Sequence, residues 1–460
     1  MIEKTENRTV RDVIQIDSEL LENISQLIED QASQSILTIL ADLHSADIAE
    51  IINHLNFDDA IFIFELLNTE IASEVVVELD ENLREKLLKE IGTEKITNII
   101  DELETDDATD ILSDLPSGVA EHVLDNIDIE DSEEVKELLK YPEDSAGGIM
   151  SGDFVFVYDY ETVKTAIKTV RFHAEEYEHI YFIYVLDSEE RLKGIVSLKS
   201  LLVNSLRKRI SSVMEEELIY VNPEMDQEAV ANIMKKYDLV SVPVVDEKKV
   251  MLGRITIDDI VDVIQEEADE DMQKFAGLSE DQESSDSVFR ISRIRLPWLL
   301  IGLVGELFNV LLLSTYETTI QNIAIAAFFF PLVMAMGGSS GTQASIVMVR
   351  SINQSNIWFQ QAFIKIGKEF LVSVLNGLTI SSILFVITMI FFDNIVFTII
   401  LSLSLLCIII FATILGATIP LLLKKFNVDP AVATGPFVTT MNDIFGLFIY
   451  MAFLTIFLLH

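Results

Sequence analysis

The sequence predicts a multidomain membrane protein: an acidic α-superhelical N-terminal domain, a pair of α/β units, a connecting helix and a five-helix transmembrane domain. Three observations predict it. Charge is unevenly divided: Lys+Arg 32 against Asp+Glu 75 gives −43, and almost none of it falls in 296–460. Periodicity changes twice, from helical to short β-rich runs near residue 150, then to long apolar stretches near residue 296. Five of those stretches reach the roughly 20 residues that a bilayer span requires. The expected boundaries are 1–145, 146–265, 266–292 and 293–460.

Residues 17–140 read as helices throughout, with apolar residues at i, i+3, i+4 and i+7, as in Ile36, Ile39, Leu40 and Leu43. A loose pattern recurs in LADLHSADIAEIINHL, VELDENLREKLLKEI and IDELETDDATDILSDL. Stacked pairs of such helices bury one continuous core as a superhelix. The start, MIEKTENRTVRD, has no apolar h-region, so no cleavable signal peptide is expected. The single cysteine, Cys407, lies in an apolar run, which precludes an intrachain disulfide and fits a reducing cytosol.

From about 150 to 268, β-rich runs appear: DFVFVYD, HIYFIYVLD, GIVSL, LIYVN, SVPVVD and GRITI. The segment IMSGDFVFV…YFIYVLDSEERLKGIVSLKSLL is echoed by VMEEELIYV…VSVPVVDEKKVMLGRITIDDIV. The two units resemble a tandem pair of CBS domains, most strongly at Val242 to Asp246, Gly253, Thr256 and Asp259. That resemblance implies a nucleotide site at a Ser/Thr-x-x-Asp motif. The second unit keeps it as Thr256…Asp259, while the first has Ser197…Ser200. ATP is therefore left open by one unit and opposed by the other.

An acidic helical stretch and the joint EDQESSDS precede Arg290, Arg293, Arg295 and Trp298, the marks of a cytoplasmic membrane entry. Spans are expected at 296–316, 320–349, 363–392, 394–423 and 431–459. Arg350, Lys365 and Lys368 lie at the second-to-third connection and Lys424-Lys425 at the fourth-to-fifth. The other two connections carry only Glu317 and Asp393. By the positive-inside rule, the N-terminal half is cytoplasmic and the C-terminus outside.

The last span, in DPAVATGPFVTTMNDIFGLFIY, carries one deep carboxylate, Asp443. At membrane depth a carboxylate costs about 2.5–3.5 kcal/mol on insertion scales and is kept facing a bundle interior or a water path. Gly435 and Pro436 are expected to weaken or break the helix before it, freeing backbone oxygens. In the second span, PLVMAMGGSSGTQAS gathers Pro331, Gly337, Gly338, Ser339, Gly341 and Gln343. Small residues there usually serve packing, but this combination suits a pore-lining or broken helix better. Glu306 is the other acid well inside a span. It reads equally as a pathway residue, as the partner of a polar neighbour, or as a group nearer the interface.

The whole chain resembles the MgtE family of magnesium transporters, most specifically in PLVMAMGGSSGTQ and DPAVATGPFVTTMNDIFG. The resemblance implies a homodimer with the ion pore on its axis, Asp443 facing its twin, and an intracellular Mg²⁺ sensor. It places Gly338, Ser339 and Gly435 beside the pore. The regulatory positions it carries over are Asp106, Asp110, Gly148, Asp226, Glu228, Asp238, Asp259, Asp262, Glu267, Glu270 and Asp271. Ser339 stands where the family usually has Asn, and Thr434 stands where some members carry Asn, which weakens statements about selectivity.

The expected function is Mg²⁺ import through a Mg²⁺-selective channel, down the electrochemical gradient, closed by Mg²⁺ on the acidic domains. Other divalent cations, Co²⁺, Mn²⁺ and Ca²⁺ among them, remain open. The expected setting is the cell (plasma) membrane, with lipid as a partner. The rival is a secondary carrier exchanging Mg²⁺ or Co²⁺ for Na⁺ or H⁺. The acidic balance argues against nucleic acid. No enzyme is expected: the histidines at 44, 54, 122, 173, 179 and 460 form no His-Glu-x-x-His motif, and no G-x-x-x-x-G-K-[ST] loop occurs. An acidic pore opposes the reading as an anion channel.

Overall fold

A computed structural model describes residue 16 and residues 18–127, 129–174, 177, 179–275, 278, 288–354, 359–392, 394–426, 428–431 and 435–458. The joint at 280–287, Asp393 and Thr434 lie outside them. The chain divides into two units, Met1–Gln265 and Glu266–His460.

Short helices follow the 3.6-residue pattern from the start: α1 (Ser18–Glu29), α2 (Ser33–Leu40), α3 (Ser45–Asn53), α4 (Phe57–Leu66) and α5 (Thr69–Val77). The series continues with α6 (Glu81–Glu90), α7 (Thr93–Ile100), α8 (Thr105–Asp114), α9 (Ser117–Leu124) and α10 (Ile129–Leu138). Asn56 and Asn68 cap α4 and α5 by accepting the N–H groups of Asp59 and Ile71, each at 3.1 Å. Each helix packs on the second one along: α3 on α5, α5 on α7, α7 on α9, with α2, α4 and α6 in the other row. Two rows wound in this way bury one core from Ile24 to Val135. That is the superhelix the repeat predicts.

The α/β pair holds two small sheets. In the first, β1 (Phe156–Tyr158) runs parallel to β2 (Phe182–Leu186), which pairs antiparallel with β3 (Leu192–Ser197). In the second, β4 (Ser241–Val245) pairs antiparallel with β5 (Met251–Thr256). The helices of the pair are α11 (Val163–His173), α12 (Leu198–Val203) and α13 (Gln227–Tyr237). The predicted strand LIYVN is reduced to one bridge, Val221 to Val244. Pro223, two residues on, has no N–H with which to extend it.

The internal repeat has a physical basis in an exchange of edges. Ser151, entering the first unit, bridges to Arg254 in β5, while Glu215, entering the second, bridges to Ile195 in β3. Glycine is needed at both crossings. A Cβ on Gly253 would come 2.5 Å from Ser151 O, and one on Gly194 would come 2.7 Å from Glu215 O.

α14 (Ile257–Phe275) grows directly from β5 and continues past Gln265, so the connecting helix begins inside the segment expected to close the α/β pair.

Among the described residues, five helices are long and apolar enough to cross a membrane. They are α15 (Val288–Thr315), α17 (Phe330–Gln354), α18 (Phe359–Phe391), α19 (Ile395–Lys425) and α20 (Pro436–Leu458), with the short α16 (Glu317–Asn322) between the first two. The second span was expected from residue 320. Instead a 3₁₀ turn, Ala324–Phe329, leads into α17. α19 is the hub, packing on α17, α18 and α20, and α15 packs on α20.

One expected helix break is absent, and of the two readings of the second span, pore-lining or broken, the structure leaves the unbroken one. α17 runs unbroken through Gly337, Gly338 and Gly341, because Pro331 lies in its first turn and the glycines fit against neighbouring helices. Pro436 starts α20 and breaks nothing, since its fixed φ suits a first helical residue and no N–H is wanted there.

The superhelix docks on the α/β pair through the start of α8. Asp153 Oδ2 accepts the Thr105 N–H at 2.8 Å, and Gly152 N–H donates to Thr105 Oγ1 at 2.8 Å. Arg254, 4 % exposed, donates to Asp153 O at 2.6 Å, to His179 O at 2.5 Å and to Glu104 Oε2 at 3.0 Å. Removing one partner of a buried charged network costs about 3–5 kcal/mol. Arg254→Ala is therefore expected to lower the unfolding free energy by about 3 kcal/mol, read as an earlier denaturation midpoint. An unchanged midpoint would show that the docking does not depend on Arg254.

Candidate functional site

The membrane half contains an open groove of ≈ 510 Å³ lined by α17 and α20. Gly338, Ser339 and Asp443 all line it, so three of the four positions expected beside the pore converge. Asp443 is only 8 % exposed. A Cβ on Gly338 would stand 3.9 Å from Asp443 Oδ1 and 3.5 Å from Thr439 Cγ2, ordinary contact distances. Glycine at this position keeps the groove open opposite the carboxylate. Gly341 does something different: a Cβ there would overlap the Asn442 amide and reach 3.2 Å from Ala412 O. Gly416 likewise lets α19 close on the Gly341 backbone.

Gly435 is absent from the groove lining. Its carbonyl oxygen accepts the N–H and the hydroxyl of Thr439, each at 3.3 Å. Sequence reasoning missed Thr342 and Thr439, which also line the groove. The signal was available in the i, i+4 rows: 338 to 342, 339 to 343, and 439 to 443 fall on single helix faces.

In the cytosolic-type half, the expected regulatory acids separate into one close pair and several positions that do not join it. Asp106, in the first turn of α8, lies near Asp259 in the first turn of α14. Asp106 Oδ1 is buried without a hydrogen-bond partner. Burial, and then the charges of Asp107, Asp259 and Glu104, push the Asp106 carboxyl well above the usual carboxylate range. Burial also raises Asp259, against two hydrogen bonds that favour its charged form: Thr256 N–H at 3.0 Å and Thr256 Oγ1 at 2.8 Å, both to Oδ2. The Thr256-x-x-Asp259 motif is thus one arm of a capping box on α14. Ser197 has no such return bond from position 200, because Ser200 offers no carboxylate.

The other positions do not converge. Asp110 is exposed on the same helix as Asp106. Asp226 accepts the Ala229 N–H at 3.3 Å and caps the start of α13, with Glu228 beside it in the first turn. Asp238 ends the same helix with φ 52°. At 1.5 Å per residue, Asp226 and Asp238 lie about 18 Å apart and share no site within one chain. Gly148 sits in a turn where a Cβ would collide with Pro142 O and Glu143 O. Asp262 is exposed, and burial of its carboxyl, with Asp258 nearby, raises it.

Within the second unit, Glu270 is ion-paired with Lys274 at 2.5 Å, and Lys274 also meets Asp429 at 2.7 Å. Burial works against the Lys274 ammonium, but Asp429 and Glu270 outweigh it and hold its pKa above the ordinary lysine value. Glu267 and Asp271 lie half-buried on the same helix.

Among the described residues, no three acidic or imidazole groups gather in a ready-made metal cage. The Asp106–Asp259 pair nevertheless fits a hard cation that keeps several waters. The donors are oxygens, one of them without a hydrogen-bond partner.

Comparisons with known proteins bear on each part. A family model described as "Divalent cation transporter" matches residues 330–453, an MgtE intracellular N domain matches 43–144, and CBS domains match 146–206 and 210–266. A magnesium transporter MgtE of Bacillus subtilis (strain 168) is 33% identical over 72% of this chain and 74% of its own length. One of Enterococcus faecalis (strain ATCC 700802 / V583) is 34% identical over 72% of each chain. A solved cytosolic domain of the Mg²⁺ channel MgtE in complex with ATP aligns with TM-score 0.51 at 31% identity, covering 53% of this chain and all of that one.

Gly338 and Gly341 of α17 are expected to respond differently to the same methyl group. Gly341→Ala should destabilise the folded protein by about 1–3 kcal/mol through overpacking. Gly338→Ala should leave unfolding unchanged and reduce cation flux, because its methyl enters the groove. Thermal unfolding and a flux assay on both variants check this; equal unfolding shifts would refute the division of roles.

Proposed function

The chain belongs to the MgtE family of magnesium transporters, and from that premise we propose that it is a homodimeric Mg²⁺-selective channel. In this reading it imports Mg²⁺ down the electrochemical gradient across the cell membrane, with the N-terminal domains cytoplasmic and the C-terminus outside. Mg²⁺ on the acidic cytoplasmic domains closes it. The observation that carries the reading is the groove in which Asp443 faces Gly338 and Ser339.

Mg²⁺ dehydrates reluctantly and prefers six octahedral oxygens. At ~30 Å³ per water, a six-water shell occupies roughly 180 Å³. The groove of ≈ 510 Å³ admits the hydrated ion without a full protein cage. Asp443 supplies charge, and Thr342, Gln343 and Thr439 supply hydrogen bonds to the water shell. The groove is open on one side, and α15 is almost wholly uncovered in the single chain. A second copy closing that side is the simplest way to keep lipid from Asp443.

Closure draws on the acids of the α/β pair and of α14. Without a cation, Asp106 and Asp259 repel one another across the contact between α8 and α14, and the acids from Asp258 to Asp271 repel along α14. A bound cation removes that repulsion and favours the docked arrangement. Lys274 then carries the position of α14 to Asp429, ahead of the fifth span. A ligand shifts such an equilibrium only by its preference for one state, so several weak sites are needed for a sharp response. The solved relative's cytosolic domain holds ATP. In this chain Asp259 already serves the α14 cap and faces Asp106. We assign it to the cation, with ATP at Thr256 and Asp259 as the weaker reading.

Asp443→Ala is expected to abolish Mg²⁺ flux in reconstituted liposomes while leaving assembly intact. Normal flux from that variant would remove Asp443 from the pathway. Neutralising Asp226, Asp259 and Asp262 together should give a channel that conducts but no longer closes as cytoplasmic-side Mg²⁺ rises through the millimolar range. Closure at the wild-type concentration in patch recordings would move the sensor elsewhere. A reversal potential that follows the Mg²⁺ gradient alone decides for a channel; one that moves with Na⁺ or H⁺ decides for a carrier.

A further inference from the structure

Glu306 lies near the middle of the apolar stretch 296–316, about 15 Å along the chain axis from Leu296 and as far from Tyr316. That is the depth at which a carboxylate is expected to face protein or water, not lipid. α15 meets α20 beside it: a Cβ on Gly305 would overlap Thr440 Cγ2, so the two helix backbones approach closely there. This approach sets the Glu306 carboxyl on α15 beside the Asp443 carboxyl on α20. One turn further along α15, Asn309 is 3 % exposed and donates Nδ2–H to Glu306 Oε2 at 3.1 Å. The same amide leaves its Oδ1 buried with no partner.

Two carboxylates placed side by side away from water repel one another unless a positive charge joins them. The orphaned Asn309 oxygen adds a neutral hard donor on the Glu306 side. All donors in the cluster are oxygens, the set that suits a hard divalent cation and not a soft one.

We propose that Glu306 and Asp443 together form the cation site in each chain, with Asn309 orienting Glu306, and that Glu306 sets the affinity for the ion. This inference rests on the reading of Asp443 as a pathway residue. Asp443 and the α17 face then hold the water shell of the ion from one side, and Glu306 supplies the second charge from the other. The three sequence-level readings of Glu306 reduce to one, because the group that pairs with its polar neighbour also meets Asp443.

The test uses the full-length protein in liposomes, with Mg²⁺ uptake measured against Mg²⁺ concentration for wild type, Glu306→Gln, Glu306→Asp and Asp443→Ala. Glu306→Gln keeps the shape and the Asn309 hydrogen bond but removes the charge. It is expected to raise half-saturating Mg²⁺ at least tenfold, with maximal flux recovered at high Mg²⁺. Glu306→Asp should restore half-saturation to within threefold of wild type. An unchanged half-saturation in Glu306→Gln overturns the proposal. So does a loss of maximal flux that added Mg²⁺ leaves uncorrected and that Glu306→Asp shares, since that is the signature of a purely structural residue. If Asp443→Ala is inactive while Glu306→Gln matches wild type, only this inference fails. If Asp443→Ala transports normally, the reading beneath it fails.

Discussion

A carboxylate withdrawn from water needs a compensating charge, and both halves of this chain hold one that the chain itself does not fully compensate. In the membrane half it is Asp443, 8 % exposed beneath the groove. In the other half it is Asp106, with Oδ1 buried and unpartnered and three further acids close by. A chain carrying −43 has few cations of its own to spare, and the buried Arg254 is already committed to Glu104 and two carbonyl oxygens.

The membrane helices are arranged around that need. α19 is apolar throughout and packs on three neighbours, so it acts as the rigid post of the bundle. Gly341 and Gly416 let α17 come in close to it, and Gly341 also meets Asn442 of α20. Gly338, one turn before Gly341, has no side chain to fill the space in front of Asp443. Residues three apart lie on neighbouring parts of one helix face, so close packing and open space adjoin along the side of α17 that faces α20.

The cytosolic-type half uses ordinary helix-end chemistry to place its acids. The first turn of α8 is held by Asp153, and the first turn of α14 by the Thr256–Asp259 capping box. Both helix starts have free N–H groups that favour negative charge. Acids collect there for local reasons, and the docking of α8 against the α/β pair then brings two of those acidic turns together. Lys274, fixed between Glu270 and Asp429, gives the far end of α14 a firm hold ahead of the last span.

The sequence by itself determined the architecture: hydrophobic period, the doubled α/β pattern and the length of the apolar runs depend on neighbours along the chain. It also identified Asp443, because a lone charge in an apolar run is conspicuous in one dimension. It misjudged the backbone at Pro436, since a proline breaks or begins a helix according to where the helix starts, and that is settled by packing. It could not separate Gly338 from Gly341, which differ only in what lies across from them. It grouped Asp226 with Asp238, although the 11-residue α13 holds them at opposite ends. And it left Glu306 with three readings, because its contact with Asp443 spans well over one hundred residues of chain. Contacts of that kind exist only once α15 and α20 are packed side by side, and only the tertiary structure decided them.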